Sequence, residues 1–257
     1  MVNLKKYIDG NTLVVVILTS YFLTGCGTKY HVGKIEGKQL SVNEKSIEKA
    51  AIESYIKPFR DNIDKDLNTI LAYSPVTLDK SGEWQTTIGN LMAEIALNNG
   101  NKIFQKRQKK DIDLALLNFG GIRSIIPKGN VTTRTAFEIM PFENSLIVAE
   151  LKGEQILEMI NYIISEKKAH PVAGITFTVG KDRTAKNIMI RNKPFDTNQK
   201  YYVVTSDYLF NGGDNMHFFK KAVANYDLDY KIRNVMIDYF KEIDTVQVLT
   251  DIRIRKE

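Results

Sequence analysis

Residues 113–123 read DLALLNFGGIR, an apolar run that ends in a polar, glycine-containing loop. The apolar letters predict a short buried strand over residues 113–117. In the loop, we expect Gly120 and Gly121 to adopt positive φ and to let the backbone approach a ligand, with exposed N–H groups and Arg123 meeting an anion. Asn118 both donates and accepts hydrogen bonds, as a heterocycle or a ribose edge requires. The alternative is a tight strand-to-helix turn without a ligand.

A second segment, MPFEN over residues 140–144, combines a rigid turn with an aromatic side chain. Pro141 stiffens the entry, and a phenyl ring on a rigid loop is a good stacking surface for a base. We therefore predict Phe142 and Asn144 as ligand contacts. The alternative is that Phe142 is a core residue beneath a loop.

A third segment, DYLFNGGD over residues 207–214, again brings together an aromatic residue, paired glycines and a carboxylate. Tyr208 is placed to face Phe142 across a planar ring, with Gly212 and Gly213 shaping the loop. Asp214 can accept hydrogen bonds from ribose hydroxyls or organise the loop. The alternative for Asp214 is a turn residue that caps the following helix.

Strand and helix patterns alternate along the chain on both sides of these loops. This alternation predicts a mixed α/β (α+β) fold with antiparallel pairs in the middle of the chain. Ser46 is a plausible N-cap, and Pro58 is expected to divide the first helical region in two. Helices are predicted at 46–57, 59–67, 89–104, 132–140, 153–165 and 230–240, and extended segments at 69–78, 145–151, 174–179, 187–191, 200–205 and 246–255.

The N-terminus has the order of a signal peptide: Lys5 and Lys6, then an apolar stretch over residues 13–23, then Leu-Thr-Gly-Cys26. The last four residues resemble the lipobox of bacterial lipoproteins, in which the cysteine is lipidated. We predict a signal peptide over residues 1–25, a lipidated Cys26 and tether over 26–43, and a folded domain over 44–257. The alternative, a transmembrane anchor, needs about 20 apolar residues.

Composition narrows the class of protein further. Hydrophobic residues make up 43% of the 257 residues, enough for a sizeable core. The formal charge of +6 is spread along the chain without a basic and aromatic block, so we expect no nucleic-acid partner. The single cysteine excludes an internal disulfide and a cysteine-based zinc site.

Together the three loops resemble the C-terminal domain of the 5'-nucleotidase family, which includes periplasmic UDP-sugar hydrolases and 2',3'-cyclic nucleotide phosphodiesterases. The resemblance runs from Gly89 to Phe219 and keeps the family order. Its remaining motifs are Gly-Asn-Leu at 89–91, Gly-Asn-Val-Thr at 129–132 and Leu-Lys-Gly at 151–153. It implies layered helices and mixed sheets.

The resemblance also implies roles for the loop residues. Phe142 and Tyr208 match the two aromatic residues that clamp the base, the second of which is commonly Phe. The other implied roles are base contact for Asn118 and Asn144, ribose binding for Asp214, and phosphate contact for Arg123. Many members have a further arginine shortly before the Gly-Asn-Leu motif, whereas residues 83–87 read EWQTT, so the phosphate contact is in question.

Family enzymes hydrolyse phosphate esters with two metal ions held by an N-terminal domain rich in Asp, His and Asn. None of the three histidines here stands in such a segment, so we expect neither metal ligands nor catalytic residues in this chain, and divalent ions on a metallophosphatase partner chain. The expected function is the nucleotide- or nucleoside-binding half of a 5'-nucleotidase-type phosphoesterase in nucleotide catabolism. Whether the chain is itself a hydrolase stays open.

Two alternatives follow from the same sequence. One is a non-catalytic lipoprotein that binds nucleosides or nucleotides at the envelope, and the other is a structural lipoprotein with a relic pocket. In all three cases we expect the chain in the cell envelope, held at the membrane by its lipid and facing the periplasm.

Overall fold

The computed structural model describes residues 10–22, 30–41, 43 and 49–257. The chain divides into two compact units, Met1–Ile52 and Glu53–Glu257. The first contains helix α1, Gly10–Phe22, and residues 30–41 without regular structure. Among the described helices, none combines the length and apolar character that a bilayer span requires. Cys26 and Ser46 lie outside the described residues, so the lipidation site and the predicted helix cap stay predictions.

Helix α2, Ala50–Leu67, is continuous through Pro58. The predicted break there is wrong. Proline removes one backbone hydrogen bond from a helix, but α2 has no buried residue, so water can satisfy the freed carbonyl group. Two ion pairs, Glu53 with Arg60 and Lys57 with Asp61, each join a residue before the proline to one after it and help to hold the helix together.

A five-stranded mixed sheet forms the centre of the second unit, in the order β10-β4-β9-β2-β5. The parallel pair β2 and β9 is flanked by antiparallel neighbours. The strands are β2 Leu114–Leu116, β4 Ser145–Lys152, β5 Val172–Ala173, β9 Lys200–Ser206 and β10 Ala224–Lys231.

Two smaller sheets complete the second unit. One pairs β1, Ile70–Ser74, with β3, Gly129–Thr132, in antiparallel register. The other has four strands in the order β11-β6-β7-β8. Its members are β6 Ile175–Val179, β7 Ala185–Ile190, β8 Lys193–Pro194 and β11 Ile254–Lys256.

Helices cover both faces of the central sheet. Strand side chains alternate in direction, so Ala115 and Val204 join one core with helices α3 and α7, while Leu116 and Val203 join a second core with helix α5. Besides most of α2, the α-helices of this unit are α3 Thr87–Gln108, α4 Thr133–Ile139, α5 Gly153–Glu166, α6 Asp207–Phe210 and α7 Ile232–Glu242. The layered, mixed α/β fold predicted from the sequence is confirmed.

Two predictions near the C-terminus are wrong in detail. Strand β10 was not predicted, although its residues Ala224, Tyr226, Leu228 and Tyr230 alternate with polar residues. It is an edge strand of the central sheet and pairs with β4. Because this strand includes Tyr230, helix α7 begins at Ile232 and not at the predicted residue 230. The strand expected over 246–255 forms only at β11.

The reason for the short β11 lies in the segment just before it. Arg253 is buried and pairs with Glu94 of α3 at 3.0 Å and with Asp251 at 2.8 Å. Gln85 also donates to the Asp251 carbonyl at 2.7 Å. These bonds hold the segment along the start of α3 instead of in a sheet.

Candidate functional site

Three loops meet at one edge of the central sheet because of its strand directions. Strands β2 and β9 are parallel, so Asn118 and Tyr208 follow them at the same edge, and Phe142 precedes the antiparallel strand β4 there. The loops enclose a cavity of about 330 Å³. It is lined by eight residues, all of them predicted ligand contacts: Asn118, Gly120, Gly121, Arg123, Phe142, Asn144, Tyr208 and Asp214.

The first loop is a single 3₁₀ turn, Phe119–Gly121, between Asn118 and Ile122. The expectation that Gly120 and Gly121 adopt positive φ is wrong, because neither does. A different constraint acts at Gly121, where a Cβ atom would lie 2.6 Å from Asn118 Oδ1. The second glycine therefore leaves room for the Asn118 side chain.

The backbone of this loop offers less to an anion than its sequence predicts. The N–H of Phe119 donates to His170 Nδ1 at 3.3 Å, and that of Gly121 to the Asn118 carbonyl at 3.1 Å. The N–H of Arg123 donates to the Ile139 carbonyl at 2.9 Å. The exposed Arg123 guanidinium group, 5.9 Å from the centre of the Phe142 ring, supplies positive charge at this side of the cavity.

Asp214 ties the first loop to the third. Its Oδ2 accepts a hydrogen bond of 2.8 Å from Asn118 Nδ2, and its Oδ1 accepts one of 2.8 Å from the Tyr208 hydroxyl. The bond to Asp214 raises the pKa of Tyr208. Each carboxylate oxygen has a further lone pair, so Asp214 both organises the loop and keeps acceptor capacity for a ligand.

The paired glycines of the third loop, which the sequence predicted as ligand contacts, are not among the residues that line the cavity. Gly212 has φ +91°, a left-handed conformation that other residues rarely adopt. At Gly213 a Cβ atom would lie 2.5 Å from the Tyr208 ring. Both glycines thus affect the cavity indirectly, through the course of the loop and the position of the Tyr208 ring.

Sequence reasoning missed the residue that holds the second loop. Arg233 of α7 is 7% exposed and donates to the carbonyls of Met140 at 3.4 Å and Phe142 at 3.3 Å. Its guanidinium group also pairs with Glu143 and thereby lowers the pKa of that carboxyl group. The sequence held one sign of this role: Arg233 stands in the first turn of α7 beside the apolar residues Ile232 and Val235, which indicates a buried position.

A cation not considered in the sequence lies near Arg123. Lys80 Nζ is 3.9 Å from the centre of the Phe119 ring and donates to the Ile122 carbonyl at 2.8 Å. Burial, and then the charge of Arg123, lower the pKa of Lys80.

Trp84, in the stretch that lacks the family arginine, packs into the core around α5. His217 is exposed and is not among the lining residues.

The described residues do not fit a dinuclear metal site. Within residues 10–22, 30–41, 43 and 49–257, no group of three or more His, Cys, Asp or Glu side chains is placed to hold a metal ion. His170, which contacts the first cavity loop, is 2% exposed and uses Nδ1 to accept the Phe119 N–H. A metal ion at Nδ1 would have to displace that bond.

Known proteins share this fold and stretches of this sequence. The trifunctional nucleotide phosphoesterase protein YfkN of Bacillus subtilis is 27% identical over 222 residues, which are 79% of this chain and 15% of YfkN. The cell wall protein Lmo0130 of Listeria monocytogenes is 32% identical over 175 residues, 62% of this chain and 21% of that protein. The chain therefore spans less than a quarter of either relative.

Among solved structures, the 5'-nucleotidase precursor from Thermus thermophilus has the same fold, with a TM-score of 0.68 at 24% identity over 80% of this chain and 42% of that one. The family model for the 5'-nucleotidase C-terminal domain matches residues 66–221, and these residues include all three cavity loops. Because the match covers more than half of the chain, this protein belongs to the family of 5'-nucleotidase C-terminal domains.

Proposed function

We propose that the cavity between the three loops binds a nucleotide or nucleoside, and that the chain is the substrate-binding half of a 5'-nucleotidase-type phosphoesterase in nucleotide catabolism. One observation carries this proposal. Two half-exposed aromatic rings, two asparagines, an arginine and a carboxylate line one cavity. This set matches the parts of a nucleotide: a planar base, a ribose and a phosphate.

The two rings supply the base-binding surface. Phe142 is 41% exposed and Tyr208 is 46% exposed, although the protein has a large core in which aromatic rings could be buried. Because both rings line the same cavity, they offer two apolar faces on which a planar ligand can stack. Stacking on an aromatic ring contributes about 1–3 kcal/mol per base, which is enough to favour a nucleotide over a simple phosphate ester.

The polar groups supply orientation. Asn118 and Asn144 present amides to the edges of the base, and Asp214 keeps acceptor capacity for ribose hydroxyls. Among the described residues, the Arg123 guanidinium group donates to the Gly120 carbonyl at 3.4 Å and pairs with no carboxylate, and it is the group we assign to phosphate.

The catalytic metal ions are assigned to a partner. A pair of divalent ions polarises the phosphate and activates water in metal-dependent phosphoesterases, and the described residues do not fit such a pair. We propose that a metallophosphatase chain supplies the ions and the catalytic residues, while this chain binds the nucleotide. A site formed between two components is a common arrangement for small-molecule substrates.

Calorimetry on the purified chain tests binding directly, with AMP, adenosine and a UDP-sugar as ligands. We expect Phe142→Ala and Tyr208→Ala each to weaken binding about tenfold or more, because each removes one stacking surface. Phe59→Ala is the matched control, since Phe59 is 61% exposed on α2 and does not line the cavity. A relic pocket predicts that no ligand binds and that neither variant differs from the wild type.

An activity assay tests the partner. The chain is mixed with a metallophosphatase encoded beside it, and nucleotide hydrolysis is measured with divalent metal ions. Turnover that requires both chains supports the proposal, whereas strong metal-dependent turnover by this chain alone contradicts the partner role. Nucleotide binding without turnover in the mixture favours a non-catalytic envelope binding protein instead.

We further propose that Cys26 is lipidated and holds the chain at the envelope, facing the periplasm. This rests on the order of the basic, apolar and Leu-Thr-Gly-Cys segments at the N-terminus. Intact-mass analysis of the protein purified from the membrane fraction tests this proposal. The expected mass is that of a chain that begins at Cys26 and carries a lipid on it. Cys26→Ser should then leave an unlipidated chain, and an unchanged membrane fraction in that variant contradicts the proposal.

A further inference from the structure

His170 lies directly beneath the first cavity loop and plays no part in the ligand contacts described above. Its ring is 2% exposed, and its Nδ1 accepts the N–H of Phe119 at 3.3 Å. Phe119 opens the turn that carries Gly120 and Gly121. The imidazole therefore fixes the backbone at the point where the chain leaves Asn118.

The same imidazole is connected to the third loop. The Tyr162 ring lies 5.6 Å from the His170 ring, and its hydroxyl donates to the Asp214 carbonyl at 2.7 Å. On the cavity side, Asn118 and Asp214 are joined by their side chains. The first and third loops are thus connected twice. Asn118 and Asp214 join them through their side chains at the cavity, and the contacting rings of His170 and Tyr162 join them away from it, through the backbone groups of Phe119 and Asp214.

The bond to Phe119 requires a neutral imidazole with its proton on Nε2, because a protonated ring has no acceptor. The pKa of His170 is lowered to about 4, and burial is the main cause. Asp214, Glu166 and the backbone of Leu117 act to raise this pKa, whereas Lys168 acts with burial to lower it. The neutral ring is therefore the form present near pH 7.

Simple packing does not explain a histidine here. Within the described part of the chain, His170 Nε2 has no hydrogen-bond partner, and an unpaired buried donor is unfavourable. An apolar ring of similar size would fill the same space without that cost. What only the imidazole supplies is the acceptor for Phe119.

We propose that His170 is a positioning residue for the nucleotide cavity, which holds the Asn118 loop in its ligand-binding conformation by accepting the Phe119 N–H. The inference rests on the proposed function, since it assumes that the cavity binds a nucleotide. It adds to that function a residue that touches no ligand.

Three variants of the full chain separate the acceptor from the ring. In His170→Asn, the side-chain oxygen lies near the position of Nδ1, so the acceptor is kept. In His170→Gln, the amide lies near the position of Nε2, and in His170→Phe the ring is kept without any acceptor. Uridine and AMP affinities are measured by calorimetry from pH 5 to pH 8.

At pH 7.5 we expect His170→Gln and His170→Phe to bind about tenfold more weakly than the wild type, and His170→Asn to bind within about threefold of it. Between pH 8 and pH 5 the wild type should keep its affinity relative to His170→Asn for the same ligand, because a pKa of about 4 leaves most of the His170 rings neutral even at pH 5. If His170→Phe does not fold, the comparison of His170→Asn with His170→Gln is sufficient to test the role of the acceptor.

Amide hydrogen exchange keeps this test separate from the proposed function. The Phe119 N–H should exchange slowly in the wild type and in His170→Asn, and faster in His170→Gln. If the wild type binds no nucleotide, the proposed function fails while the exchange result still reports on His170. The inference is overturned if Gln and Asn variants match each other in Phe119 exchange, or if the wild type binds nucleotide and both variants bind equally well.

Discussion

Asn118 Nδ2 donates a hydrogen bond of 2.8 Å to Asp214 Oδ2, across 96 residues of sequence. It joins the loop after β2 to the loop after β9, so it fixes the width of the cavity between them. Because the acceptor is charged, the bond should be stronger than one between neutral groups.

A double-mutant cycle measures this bond. Asn118→Ala removes the donor, and Asp214→Gly removes the carboxylate while tolerating the φ of +50° at that position. We expect the two changes to be non-additive by about 1 kcal/mol in the free energy of unfolding, measured with urea. Backbone effects of the glycine cancel in the cycle. Additivity to within about 0.3 kcal/mol means that the bond does not couple the loops.

The adjacent glycines of the first loop should respond differently to alanine. Gly121→Ala places a Cβ atom 2.6 Å from Asn118 Oδ1, which must turn away and release Asp214. Gly120→Ala meets only Asn118 Nδ2 at 3.7 Å, an ordinary contact. Neither glycine has positive φ.

We therefore expect Gly121→Ala to lower the free energy of unfolding by about 1 kcal/mol. Gly120→Ala should leave that free energy unchanged or raise it by up to about 1 kcal/mol, because alanine restricts the unfolded chain. Urea unfolding of both variants checks this. Equal destabilisation by the two alanines shows that the turn itself, and not the Asn118 side chain, requires glycine.

Arg233 and Lys231 offer a matched comparison of two cations near Glu143. Arg233 is buried and bonds to two backbone carbonyls of the second loop, whereas Lys231 is more exposed and donates to the Glu143 carbonyl alone. Arg233→Met leaves the buried Met140 carbonyl and the partly buried Phe142 carbonyl without this donor, so we expect it to lower the free energy of unfolding by about 2–3 kcal/mol. Lys231→Met should cost about 0.5 kcal/mol or less. Thermal unfolding of the two variants measures the difference, and similar losses contradict the role given to Arg233.

The sequence predicted the cavity-lining residues more fully than their supports, for a physical reason. Each lining residue belongs to a short motif whose members are neighbours in the chain, so residue types and spacing carry the signal. The supports are distant in sequence: His170 lies 51 residues from Phe119 and Arg233 lies 91 residues from Phe142. Such pairs become visible only when the strands are arranged in a sheet.

Backbone conformation was also beyond the sequence. A Gly-Gly pair predicts freedom of φ at both positions, yet only Gly212 of the four loop glycines uses it. Gly121 and Gly213 are required instead by the side chains of Asn118 and Tyr208. A glycine can be required either by a positive φ or by a neighbouring side chain that leaves no room for a Cβ atom. Which of the two applies depends on spatial neighbours that the sequence motif does not specify.

Arg123 should distinguish a nucleotide from a nucleoside. Its guanidinium group is exposed at the cavity and lies near the cation Lys80. Two neighbouring positive charges favour an anionic ligand group, so the wild type should bind AMP more tightly than adenosine. Arg123→Gln removes one charge and should weaken AMP binding about tenfold while leaving adenosine within about twofold.

Lys128→Gln is the control for that measurement. Lys128 is exposed and carries the same charge five positions later, but it does not line the cavity. Calorimetry at low and high salt separates direct contact from general attraction, because screening weakens the latter. If Arg123→Gln weakens AMP and adenosine equally, the guanidinium group acts on the Phe142 ring, 5.9 Å away, and phosphate recognition must be assigned to Lys80 or to the partner.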